Sequence, residues 1–329
     1  MGRLIACIAV VLCLCSAAGP RATVAAPARL TSVTVAMGFT PNVQFAPFYV
    51  AETRGYYRQA GLRVEFQYGI EPNLLRLASV GKVDFVNSGG DEVLTAGAQG
   101  LHVTYVLTQY SRFPAALFWL QRSGIHRVND LRGRTVGIPG PFGASYVGLL
   151  ALLQSAGVPA TSVSIKSISF TQAQSVAHGK VDAAVGYAMN EPVELRQQGY
   201  RVGEFDVYRY ANLAGAGIAA GNAVIAKHPA IVQAFVRATL RGMQDTLRNP
   251  EQAFADAAAA APEIRAQRQV SHAILQRALD FWRPVNGHQL GWIDPQVWNT
   301  TARLLYQFKQ IPHRVASTRF YTNRFISDH

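Results

Sequence analysis

Three short stretches hold the side chains whose types and spacing could recognise a small polar ring. Tyr187-Ala188-Met189-Asn190-Glu191-Pro192 sets a flat aromatic, a two-way amide and a carboxylate close together. Such a set can cover one face of a ring and meet donors and acceptors on its edge. Glu191 precedes a proline, which biases its backbone away from the helical region and aims the carboxylate from a fixed turn. Ser88-Gly89-Gly90-Asp91-Glu92 adds a hydroxyl, two carboxylates and two glycines that let a ligand approach the backbone. Gly140-Pro141-Phe142-Gly143-Ala144-Ser145-Tyr146 runs into a long apolar helix, so its free amides form an anion site in principle. It lacks the lysine and spacing of a phosphate loop, and neutral contacts from Ser145 with stacking on Tyr146 are expected instead.

Each stretch has a plainer reading. Asp91 and Glu92 open a helix, where acids complement the dipole without any ligand. Asn190 could be an N-cap and Tyr187 a core residue.

The frame around these residues is written twice. Gly81 to Glu92 (GKVDFVNSGGDE) and Gly179 to Glu191 (GKVDAAVGYAMNE) both give Gly-Lys-Val-Asp, a brief apolar run, a small polar turn and a glutamate. A parallel α/β unit presents such a loop at the carboxyl end of its strand, where these sheets bind ligands. Two such ends imply two lobes, each offering a loop to one cleft. The same four letters also suit a common helix-to-strand connection that recurs by chance.

The surrounding elements fit an α/β chain. Leu30 to Met37 is spaced for a strand, Gly38 to Phe45 is a turn-rich loop, and Ala46 to Gly55 reads as a helix entered through Pro47. Composition resets at Gly124 and again at the small, glycine-rich run from Leu213 to Val224. These resets predict one lobe from residues 30–120 plus 217–329 and a second from 121–216. The helical C-terminal stretch is expected to pack back onto the first lobe.

Residues 1–26 read as a cleaved signal peptide: Arg3, the apolar run Leu4 to Leu14, and small residues at Val24-Ala25-Ala26. Cys7, Cys13 and Cys15 all fall in this segment, so the mature chain has no thiol for a disulfide, metal or nucleophile. Lipidation at Cys15 stays open, although Leu14 is a poor match to the residue expected before it. Of 31 basic side chains, Arg3 and Arg21 lie in the segment, leaving 29 against 19 acids, a net +10. Outside the cytoplasm that charge meets solvent or anionic headgroups, and no charge run or Arg/aromatic stripe suggests a nucleic-acid groove.

TPNVQFAPFYVAETRGYYRQAGL, DLRGRTVGIPG, GKVDAAVGYAMNE and PAIVQAFVRATLRG occur in that order. With them the chain resembles the extracytoplasmic substrate-binding proteins of ABC importers related to thiamine-pyrimidine synthases and pyrimidine-precursor binding proteins. VQFAPFYVA and FGASY are most similar to the riboflavin-binding, RibY-type branch. The resemblance implies a type II periplasmic-binding fold, an exported monomer at the periplasm or cell surface, and ABC permease and ATPase subunits as partners. It places ligand contacts at Asn42, in the Ser88, Gly89 to Glu92 loop, at Gly143 to Tyr146, and at Tyr187, Asn190 and Glu191.

Phe39, Phe45, Tyr110, Phe113, Tyr146 and Tyr187 lie in or beside loops expected to face the cleft. That is more aromatic surface than one pyrimidine uses, which favours riboflavin over hydroxymethylpyrimidine or formylaminopyrimidine. The fungal pyrimidine synthase of the same family carries a cysteine-rich motif and a histidine after its Thr-Pro-Asn element. Here Gln44-Phe45 stand at that place, so no catalytic residue, metal or cofactor is expected.

Overall fold

A computed structural model describes residues 30–326, so the signal segment, its cysteines and the last three residues lie outside it. Ten strands divide between two five-stranded sheets. The first has the order β2 (Leu62–Tyr68), β1 (Thr31–Met37), β3 (Phe85–Gly89), β10 (Ala216–Gly221), β4 (Val103–Thr108). The second has the order β7 (Ser164–Ser167), β6 (Thr135–Ile138), β8 (Ala183–Tyr187), β5 (Ala115–Leu120), β9 (Val202–Asp206). In each sheet one strand runs antiparallel to both its neighbours, β10 in the first and β5 in the second. Each is the first strand the chain forms on arriving from the other sheet. This is the α/β, type II periplasmic-binding architecture of two lobes.

One boundary moves. Ala115–Leu120 lies in the second sheet, paired with β8 and β9, and not with the first lobe as its sequence position suggested. The chain therefore crosses over residues 109–114, ahead of the reset at Gly124. Composition changes where a surface loop begins; β5 is buried throughout and carries no such mark.

The repeated Gly-Lys-Val-Asp has a structural role in both lobes. Gly81 and Gly179 adopt φ of +73° and +67°, a left-handed turn after a helix that glycine makes without strain. Val83 and Val181 are buried. Asp84 Oδ2 accepts a hydrogen bond from the Thr34 amide of β1 at 2.8 Å, and Asp182 Oδ2 accepts from the Thr135 amide of β6 at 2.8 Å. Each aspartate thus pins the strand beside its own, fixing the register of the central pair.

The C-terminal helices pack mainly on the first sheet's side. Pro229–Arg248 lies along Ala46–Thr53, with Phe235 stacked between Tyr57 (5.3 Å) and Phe85 (4.1 Å). Pro295–Gln307 covers Gly90–Ala98. Arg268–Trp282 also reaches the second sheet: Arg277 meets Asp206 at 2.9 Å and Glu204 at 3.3 Å. No helix among the described residues is long and apolar enough to cross a membrane, and no cluster of metal-binding side chains occurs among them.

Candidate functional site

Strand ends of both sheets face a cleft holding about 780 Å³ of empty space, part of it open to solvent. Of the expected site residues, Phe39, Phe45, Glu92, Tyr110, Ser145, Tyr187, Asn190 and Glu191 line it. The loop after β1 supplies Phe39, the helix starts at Gly90 and Gly143 supply Glu92 and Ser145, and the end of β8 supplies Tyr187 to Glu191.

Five expected residues are engaged elsewhere. Asn42 caps the short 3-10 turn Val43–Phe45, its Oδ1 accepting from the Gln44 amide at 2.9 Å. Ser88 is fully buried and donates to Glu71 Oε2 at 3.0 Å, and the Gly89 amide donates to the same oxygen at 2.9 Å. Tyr146 follows Ser145 on one helix, where successive side chains point about 100° apart, so with Ser145 at the cleft Tyr146 turns aside and lies half-buried against the core. Phe113 is likewise core, packed against Gly148.

The residues missed are as informative. Gln44, Asn87 and Gln172 bring buried amides to the lining, and Phe142, Phe170 and Ile70 bring apolar surface. Gln109, buried at the first crossing, ties two of them together: it accepts from Asn87 Nδ2 at 2.9 Å and donates to the Gln44 carbonyl at 2.8 Å.

Glu71 is the largest omission. It begins a helix with proline next, as Glu191 does, and Glu-Pro at 71–72 and 191–192 was the available signal. Each carboxylate accepts from one backbone amide, Glu71 from Gly89 and Glu191 from Tyr187 at 3.0 Å. Gly186 leaves room for the latter, since a β-carbon there would collide with the Glu191 carboxylate. Desolvation, reinforced for Glu71 by the charge of Glu92 and for Glu191 by that of Glu194, pushes both acids up to about 7. Burial also raises Glu92, opposed by the Gly143 amide across the cleft and by Arg76. Asp91 is 1% exposed, its carboxylate oxygens lack partners, and burial with the charges of Glu92 and Glu71 holds it well above the usual range.

Contacts join the lobes across the cleft. Asn190 Nδ2 donates to Gln44 Oε1 at 3.4 Å, while Asn190 Oδ1 is buried without a partner. Phe39 and Phe170 meet edge to face at 5.7 Å, as do Tyr110 and Tyr187 at 6.0 Å. No lysine, arginine or histidine is among the lining residues.

The chain is 41% identical to the riboflavin-binding protein RibY of Chloroflexus aurantiacus, over 97% of this chain and 95% of that protein. It is 27% identical to the 4-amino-5-hydroxymethyl-2-methylpyrimidine phosphate synthase of Legionella pneumophila, over 90% of this chain and 92% of that one. The periplasmic aliphatic sulphonate binding protein SsuA of Escherichia coli superposes with a TM-score of 0.71 at 18% identity, covering 88% of this chain and 96% of that one, which establishes the fold alone. The family described as NMT1/THI5 like matches residues 42–253. With most of its length shared in this way, the chain belongs to the NMT1/THI5-like family.

Proposed function

We propose that this protein is the substrate-binding component of an ABC importer and captures riboflavin outside the cytoplasm. The observation that carries the reading is the make-up of the cleft: aromatic rings from both lobes beside neutral amides and carboxyl groups, with no cation. Rings that line a slot reward a flat tricyclic ligand, each aromatic pair adding about 0.5–1.5 kcal/mol beyond burial. Amides and carboxyls answer alternating donors and acceptors along the edge of an isoalloxazine. The 41% identity to a protein named for riboflavin binding supports the same ligand.

Binding without chemistry is part of the proposal. The lining holds no lysine to form an aldimine. Delivery to permease and ATPase subunits, export through residues 1–26, and a monomeric state complete it.

Titration calorimetry with riboflavin tests the reading, and binding at micromolar or lower Kd is expected. A second reading, a thiamine pyrimidine precursor, is favoured by the relatedness to the pyrimidine phosphate synthase. Pyrimidine binding with no flavin binding would reverse the order of the two.

A further inference from the structure

Glu71 and Glu191 form a matched pair, one from each lobe. Each is the first residue of a helix, each is followed by proline, and each has one oxygen held by a backbone amide at the end of the central strand beside it. Both line the cleft, and Glu92 lines it between them in sequence. The cation that acts on Glu92 is Arg76, which is exposed on the helix Glu71–Ser79 and lies outside the lining. Two buried polar atoms of the lining lack a partner: the Asn190 carbonyl oxygen, a neutral acceptor on a side chain that is 8% exposed, and the Tyr110 hydroxyl, which is uncharged. The cleft therefore encloses its ligand with neutral polar groups and three carboxyls, two of which gain negative charge as pH rises through 7, and with no cation.

We infer that the cleft takes the uncharged alcohol form of its heteroaromatic ligand and rejects the phosphate ester, with Glu71 and Glu191 as the residues that set this specificity. A phosphate enclosed there would lose its water, gain no cationic partner and face carboxylates. An uncharged ring with N–H groups loses less water and finds acceptors in both lobes. The helix start at Gly143 does not offset this, because the Glu92 carboxylate already faces its free amide.

This inference rests on the riboflavin reading, and the experiment separates the two. Calorimetry compares riboflavin with its 5′-phosphate, and hydroxymethylpyrimidine with its phosphate, on the full mature protein. The expected result is riboflavin binding at least about a hundredfold tighter than the ester, the scale of leaving a buried charge unpaired. Equal affinity for riboflavin and its phosphate would overturn the inference and leave the function standing. If only pyrimidines bind, the riboflavin reading falls, and preference for the alcohol over the phosphate still supports the inference whereas the opposite preference overturns it. In E71Q and E191Q the ratio between ester and alcohol should narrow by about tenfold through tighter ester binding. An unchanged ratio in both folded variants would remove these residues from the specificity.

Discussion

Asn190 reaches from the second lobe to Gln44 of the first, donating one hydrogen bond at 3.4 Å and keeping its carbonyl oxygen buried and unpaired. A buried acceptor with no partner costs about 1–3 kcal/mol, so the residue is poised for a donor that the protein itself does not supply. Asn190→Ala should weaken riboflavin binding about ten- to a hundredfold by calorimetry, with little change in the Tm of the empty protein. A loss of Tm with unaltered affinity would show the amide to be structural.

The two carboxyls near 7 give the empty protein a distinctive pH response. Their folded values lie above the ordinary 4.5, so the folded state binds more protons between about pH 4.5 and 7. Stability from protonation is full below 4.5 and is lost as pH rises through 7, by about 1–3 kcal/mol per group once the water of the cleft is allowed for. Ligand-free protein should melt at a higher temperature at pH 5 than at pH 8. Glu71→Gln and Glu191→Gln should each flatten that slope.

The register aspartates should behave oppositely to the cleft residues. Asp84→Ala and Asp182→Ala each leave a strand amide without its acceptor, at about 1–2 kcal/mol. A Tm lower by about 2–4 °C per kcal/mol is expected, with Kd unchanged when measured on folded protein.

Gly186→Ala should abolish tight binding while the protein still folds. The added methyl displaces the Glu191 carboxylate from the Tyr187 amide, moving a cleft residue without deleting it. Circular dichroism with calorimetry on the same sample checks both halves of that expectation.

Phe39 and Phe170 close the mouth from opposite lobes. Phe170→Ala removes an edge-to-face pair worth about 0.5–1.5 kcal/mol, and stopped-flow release of riboflavin should speed up by about two- to tenfold.

Much of the site was legible because loop chemistry is local. Tyr187, Asn190 and Glu191 lie within one turn, and Glu92 opens a helix whose start the glycines announce. Asn87 and Gln172 gave no such signal, since one sits inside a buried strand and the other in a helix, and only the fold turns them toward the cleft. Ser88 and Gly89 were read as ligand contacts because their partner Glu71 lies 17 and 18 residues away, a distance short-range reasoning does not bridge. The repeat pointed to loops that line the cleft. Of its four shared letters, however, the glycine makes a turn, the valine is core and the aspartate fixes strand register, and the cleft-lining residues follow after them.

The two crossings, over residues 109–114 and 207–215, join sheets that each take in one reversed strand. Two tethers attached side by side remove most ways for the lobes to slide or twist, and leave rotation about the line between them. Gln109 lies at the first crossing and holds Asn87 and Gln44, so this inner wall is expected to change little as the cleft opens. Phe170, exposed at the mouth, is expected to travel furthest when the lobes rotate. On that expectation a ligand meets a preset floor and is retained by a moving rim, which would make capture a matter of shape at the inside and of timing at the edge.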